Sequence, residues 1–172
     1  MAEGYMDAVD ALKIAIERER GANRFYRQAA DTTENADGKA VFKWLAKEEL
    51  RHLAKLRQQL KSVLGANKWL EWRRVATPIE RTELPRLSEA AGSVKVDAAA
   101  QNALRRAIEA EQKSIAFYEK AADITIAPNG KAMFQALSRE EKGHLALVEE
   151  ELEWLIKARQ YFTIHRFTLR SR

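Results

Sequence analysis

The chain has 172 residues, of which 46% are hydrophobic and 32% charged, and its formal net charge is +5. This size and balance suit a single domain, residues 1–172, with a sizeable core. The absence of cysteine excludes disulfides, thiolate nucleophiles and rubredoxin-type or iron–sulfur centres within the chain. Since the sequence shows neither a secretory signal nor an apolar run long enough to span a bilayer, we expect a cytoplasmic protein without a transmembrane segment.

Good helix formers dominate the chain, which predicts an all-α fold. Breaks rich in turn residues fall at 31–38, 65–96 and 127–130, and they leave helices at roughly 6–31, 39–64, 97–125 and 130–162. Short connections make the helices of each pair antiparallel neighbours, while the middle connection is long enough to run the length of a bundle. The prediction is a ferritin-like four-helix bundle with a long crossover between helices 2 and 3, packed down by Trp69 and Trp72.

An internal repeat divides the chain into two helical hairpins, at about 6–64 and 97–156. The segment ALKIAIERERGANRFYRQAAD of the first helix reappears in the third as ALRRAIEAEQKSIAFYEKAAD. Likewise VFKWLAKEELRHL of the second helix reappears in the fourth as MFQALSREEKGHL, again with an offset of 92 residues. One shared offset indicates two copies of one hairpin related by an approximate twofold axis.

Each predicted helix carries a carboxylate in the middle of its apolar stripe. Glu19 lies in the stripe of the first helix and Glu111 in that of the third. In the second and fourth helices the stripe holds a glutamate and, three residues later on the same face, a histidine. These pairs are Glu49 with His52 and Glu141 with His144. The neighbouring Glu17, Glu48, Glu109 and Glu140 point off the stripes, and we expect them to be solvated.

Four buried carboxylates without partners would cost several kcal/mol each, which a marginally stable domain cannot absorb. No lysine or arginine shares their level on the stripes, so the balancing charge is expected to come from metal. One Glu from each of two helices and Glu-x-x-His from the other two is the ligand set of di-iron and di-manganese carboxylate bundles. The predicted metal ligands are therefore Glu19, Glu49, His52, Glu111, Glu141 and His144. A single Glu-x-x-His would more simply be an exposed helix turn; the repeat argues against that reading.

The segments AIERERGANRFY, LAKEELRH, AIEAEQKSIAFY and LSREEKGH resemble the rubrerythrin-like branch of the ferritin-like superfamily. The resemblance covers nearly the whole chain apart from the crossover and the tail. It implies two iron ions bridged by Glu49 and Glu141, with Glu19 and His52 completing one and Glu111 and His144 the other. It also implies reduction of hydrogen peroxide or dioxygen.

The sequence departs from that pattern in two ways. Because the chain lacks the cysteines of a rubredoxin centre, electrons would come from an external donor protein. The resemblance also leads us to expect another carboxylate near the ligand of the third helix, but Ser114 stands one turn after Glu111.

Tyr26 and Tyr118 follow Glu19 and Glu111 by seven residues, on the same helix faces. Either each hydroxyl donates to a ligating carboxylate of a neighbouring helix, or the two are ordinary core tyrosines. We assign the remaining aromatic side chains of the helices to packing and His165 to the surface; the packing residues are Phe25, Phe117, Trp44 and Trp154. The basic C-terminal tail receives no function, and no nucleic-acid partner is expected.

Three functions fit these features. The first is an oxidoreductase that reduces peroxide or dioxygen, as a homodimer or higher homo-oligomer. The second is a ferroxidase that stores or delivers iron, and the third is a bundle that binds metal without catalysis. Carboxylates and imidazoles accept iron, manganese and other divalent metals, so the ligand set alone does not select the ion.

Overall fold

The computed structural model describes residues 7–85 and 98–170, with side chains through residue 157. Four long helices make up most of it: α1 (Ala8–Thr32), α2 (Ala36–Ala66), α3 (Ala98–Ile124) and α4 (Pro128–Arg170). A short 3-10 helix, Trp72–Arg74, lies in the crossover. No strand occurs among the described residues. The predicted ferritin-like four-helix bundle is thus confirmed. Among the described residues, no helix has an apolar stretch of the length that a membrane span requires.

The helix boundaries follow from local capping. The carboxylate of Asp7 accepts hydrogen bonds from the backbone N–H groups of Val9 and Asp10, both at 2.8 Å, and so begins α1. Asn35 caps α2 in the same way through the N–H of Gly38, at 2.8 Å. This cap starts α2 at Ala36 instead of residue 39, so the predicted break at 31–38 is too long.

The C-terminal ends of α2 and α4 lie at different places relative to the prediction. Helix α2 ends where Asn67 adopts a left-handed conformation, with φ of 49°. Helix α4 continues to Arg170, beyond the predicted end at residue 162. The side chain of His165 and those of the basic tail beyond Lys157 lie outside the described residues, as does residue 172.

Within residues 7–85 and 98–157, the buried hydrophobic side chains form two clusters, and the buried carboxylates of the helices lie between them. One cluster joins the first half of α1 to the second half of α2, around Leu12 and Leu56. The other joins the second half of α1 to the first half of α2, around Tyr26 and Phe42. Helices α3 and α4 repeat this arrangement, so the polar layer is sealed by apolar packing above and below.

The start of the crossover is held against the bundle by specific contacts, as predicted for its tryptophans. The amide group of Gln59 donates to the carbonyl of Leu70 (3.2 Å) and accepts from its N–H (3.1 Å). The Asn129 amide donates to the carbonyl of Trp69 at 3.1 Å. Trp72 is buried, and its indole N–H donates to Glu140 at 3.1 Å. These contacts bring a crossover residue to the edge of the polar layer.

Candidate metal centre

The six predicted ligand residues lie together in the polar layer, and none is more than 4% exposed. Their placement follows the helical period, since each interrupts the buried stripe of its own helix. They form two overlapping groups, in each of which the ligand atoms lie within 4.8 Å of one another. The first group is Glu19, Glu49, His52 and Glu141; the second is Glu49, Glu111, Glu141 and His144.

Glu49 and Glu141 belong to both groups, and each turns one oxygen toward each imidazole. The Nδ1 atom of His52 lies 3.4 Å from Oε2 of Glu49 and 3.3 Å from Oε1 of Glu141. The Nδ1 atom of His144 lies 3.2 Å from Oε1 of Glu49 and 3.0 Å from Oε2 of Glu141. The rings of His52 and His144 are nearly parallel, at 16°, with centroids 5.6 Å apart. This is the arrangement that two carboxylates spanning two ions would require.

Several polar atoms in this cluster are buried without a hydrogen-bond partner. They are Oε2 of Glu19, Oε1 of Glu49, Nδ1 of His52 and Oε1 of Glu141. Buried groups of this kind normally find partners, because leaving them unpaired costs about 1–3 kcal/mol each. Carboxylate oxygens and imidazole nitrogens are ligands for divalent first-row metals. The residues present therefore fit a pair of such ions.

The electrostatics of the cluster divide its carboxylates into two kinds. Burial, with the charge of Glu49 nearby, raises the pKa of Glu19 and of Glu111 well above the usual range. Burial also acts to raise the pKa of Glu49, but hydrogen bonding to Glu19 and the charge of His144 hold it well below the usual range. Without metal, the layer is therefore expected to keep protons on some of its acids.

The two tyrosines connect the helices that carry the single carboxylates. The Tyr26 hydroxyl of α1 donates to Oε1 of Glu111 on α3, and the Tyr118 hydroxyl of α3 donates to Oε1 of Glu19 on α1. Of the two readings of these residues, the geometry favours donation to a carboxylate of a neighbouring helix. Each ring also stacks on a phenylalanine of its own hairpin, Tyr26 on Phe42 and Tyr118 on Phe134.

The expectation that four neighbouring glutamates are solvated is only half right. Glu17 and Glu109 are exposed, but Glu48 is buried and paired with Arg51. Glu140 is partly buried, and its Oε2 lies 2.7 Å from Nε2 of His52. Burial acts to raise the pKa of Glu140, but hydrogen bonds from His52 and Trp72 lower it to about 2. The crossover covers this side of α4 through Trp72, and the apolar stripe of α4 alone could not predict that burial.

Two cavities bear on the predicted site residues within the described part of the chain. One, of about 710 Å³, is lined in part by Trp44, Glu48, Glu140, Gly143 and His144. It reaches one of the two histidines directly. The other, of about 350 Å³, lies between α1 and α3 and is lined in part by Phe25 and Ser114. Glu111 is the only carboxylate of α3 in either ligand group. Among the described residues, no other acid of α3 therefore takes the place of the additional carboxylate expected near Ser114.

The other aromatic residues assigned to packing are all partly buried against the core. Trp44 meets the ring of His144 edge-on, with centroids 5.6 Å apart, and its indole N–H donates to the carbonyl of Thr82 at 3.2 Å. Arg18 stacks on Phe117 and Arg106 on Phe25. Trp44 is therefore both a packing residue and a wall of the cavity beside His144.

Fold and site together define a ferritin-like helical bundle with a buried carboxylate and histidine cluster suited to metal. The family model for Rubrerythrin matches residues 10–152, and the chain belongs to this family. Among solved structures, it is similar to a hypothetical protein from Pyrococcus furiosus, Pfu-1136390-001. The two share 27% identity with a TM-score of 0.67, over 91% of this chain and 94% of that one. No curated protein matches the chain.

Proposed function

We propose that this chain is a non-haem di-iron protein that reduces hydrogen peroxide or dioxygen, with electrons from an external donor protein. The observation that carries the proposal is the pair of overlapping ligand groups that share Glu49 and Glu141. A single isolated ion would need only one such group. Two groups with two common carboxylates favour two ions close enough to act on one small molecule.

The chain's own residues would hold the ions by their charge and orientation. Glu19 and His52 face one position, and Glu111 and His144 face the other. Four carboxylates balance two divalent charges, which explains how the fold tolerates them in its core. When bound, the iron pair would supply two electrons, so that peroxide and two protons give two waters and the donor then restores the electrons.

Other residues would control access and protons. The two tyrosine hydroxyls fix the orientation of Glu111 and Glu19. The clusters around Leu12 and Phe42 exclude water from above and below, whereas the cavity at His144 lets a small oxidant approach from the side. Partly buried Glu140 lies on that cavity and is hydrogen-bonded to His52, so it is suited to hold or pass a proton near the site.

The test is anaerobic loading of the full chain with ferrous ion, followed by rapid mixing with peroxide or with dioxygen in parallel. We expect two irons per chain and oxidation that is much faster with peroxide. Fast oxidation by dioxygen with release or storage of ferric iron would instead support the ferroxidase function. Tight binding without oxidation by either would support a metal-binding bundle and refute both redox functions.

Variants test the shared carboxylates. Replacement of either one, as Glu49→Ala or Glu141→Ala, should lower bound metal below two ions per chain. Glu109→Ala is the matched control, because Glu109 is an exposed glutamate of α3 outside both ligand groups. Unchanged stoichiometry in the first two variants would refute their assignment as bridging residues.

A further inference from the structure

The two histidines of the cluster are counterparts in the internal repeat, but their surroundings differ. Nε2 of His52 lies 2.7 Å from Oε2 of Glu140, and the other oxygen of Glu140 accepts the Trp72 indole N–H at 3.1 Å. The Trp72 ring also packs on His52, with centroids 6.4 Å apart. His52 is therefore held on its far side by a carboxylate that is itself held in place.

Within the described residues, the counterpart of Glu140 in the first half of the repeat forms no hydrogen bond to a histidine of the cluster. Glu48 is the counterpart of Glu140 at the 92-residue offset, and it pairs with Arg51 on its own helix. The counterpart of Arg51 is Gly143, so no arginine at that position competes for Glu140. Oε1 of Glu48 is buried without a partner, and no hydrogen bond to Nε2 of His144 is found within residues 7–85 and 98–157.

The two histidines also differ in access. His144 and Gly143 line the cavity of about 710 Å³, and Glu48 lines it as well. His52 is not among the residues lining this cavity, since Glu140 and Trp72 stand between. The cavity thus reaches His144 directly, whereas Glu140 and Trp72, which also line it, separate it from His52.

We propose that the two metal positions are unequal: the His52 position takes the first ion and retains it, and the His144 position binds more weakly and exchanges through the cavity. This rests on the proposed di-metal function and deepens it. A carboxylate on the far nitrogen orients a ligating imidazole and makes it a better donor, and loss of such a partner lowers metal affinity by about 10- to 100-fold. Glu140 acts as a positioning residue for His52. Arg51 pairs with Glu48 and so keeps Glu48 from making the equivalent hydrogen bond to His144.

The experiment is an anaerobic titration of the metal-free full chain with Co²⁺, followed by the visible bands of the bound ion and by competition with a chelator. We expect two separate equivalents, the second at least about 10-fold weaker than the first. His144→Ala should keep the first step and lose the second. His52→Ala should lose the first step and leave one weak equivalent.

Two further variants address the cause of the difference. Glu140→Gln offers one acceptor where the two N–H groups of His52 and Trp72 need two, so it should weaken the first step by about 10-fold or more. Arg51→Ala should free Glu48 and strengthen the second step, a gain that misfolding cannot produce. Glu109→Gln, which removes an exposed charge on α3, should change neither step.

The outcomes separate this inference from the proposed function. Two equal and inseparable equivalents in the wild type would overturn the inference and leave the di-metal site intact. No binding of Co²⁺ would overturn both. A Glu140→Gln variant that titrates like Glu109→Gln would overturn the role of Glu140, and an unchanged second step in Arg51→Ala would overturn that of Arg51.

Discussion

The Tyr26 hydroxyl on α1 donates a hydrogen bond to Glu111 on α3, and the repeat reproduces this contact between Tyr118 and Glu19. The two contacts cross the bundle in opposite directions. They link the two helical hairpins at the buried carboxylates, with each tyrosine ring packed in one of the two apolar clusters. Loss of either hydroxyl should therefore lower the free energy of unfolding of the whole bundle.

Tyr26→Phe should lower the free energy of unfolding of the metal-free protein by about 1–3 kcal/mol, because it leaves a buried oxygen of Glu111 without its donor. The phenylalanine keeps the ring that stacks on Phe42. Urea denaturation measures the change, and Tyr118→Phe provides the counterpart. The double variant should lose more than either single variant, and its departure from the sum of the two measures the coupling through Glu49 and Glu141. A loss below about 0.5 kcal/mol would contradict this account.

Removal of metal should lower the melting temperature of the protein. Bound divalent ions stabilise the folded chain by mass action, by about 4 kcal/mol at a thousandfold excess over Kd, and they also neutralise the acids of the polar layer. Thermal denaturation with and without Co²⁺ measures the effect. Glu49→Ala should gain less from the ion than the wild type. Equal melting temperatures in all samples would show that the buried acids need no metal.

Gly130 should not tolerate a side chain. A Cβ atom there would lie 2.8 Å from the Trp69 ring and 2.8 Å from Cγ2 of Thr125. Gly130→Ala is therefore expected to lower stability by about 1–3 kcal/mol through loosening of the crossover. Gly21→Ala is the matched control, because nothing lies within 4 Å of its Cβ and alanine favours the helix by about 1 kcal/mol. Opposite signs in urea denaturation are expected, and a stabilised Gly130→Ala would refute the contact.

Glu151 makes stability depend on pH. Burial, together with the charges of Asp37 and Glu150, raises the pKa of this carboxyl to about 7. Both of its oxygens are buried without a partner. Because the folded state binds the proton more tightly than the unfolded chain, this contribution is fully present below pH of about 4.5 and is lost as pH rises to about 7.

The corresponding loss for the wild type is up to about 3 kcal/mol between those limits. Glu151→Gln should remove it and be the more stable protein at pH 8. Denaturation curves from pH 5 to 8 measure the difference. Glu149→Gln, an exposed neighbour on α4, should keep the wild-type pH dependence. If both variants follow the wild type, Glu151 is already ionised in the folded protein at neutral pH.

The sequence by itself determined the four helices and the face on which each candidate ligand lies. Helical periodicity is local, so the position of Glu19 or His52 within an apolar stripe can be assigned without knowledge of the neighbouring helix. The internal repeat then supported each assignment with a second copy, because Glu111 and His144 occupy the same positions 92 residues later. That is why the sequence identified the six residues that the fold brings together.

Only the tertiary structure decided the contacts made between elements. It paired Tyr26 with Glu111 and not with another carboxylate, because that choice depends on how α1 and α3 pack. It also moved Glu140 from a solvated position to one beside His52, because the crossover carries Trp72 over that side of α4. A residue one step off an apolar stripe is solvated or buried according to what the rest of the chain lays over it, and local periodicity does not contain that information.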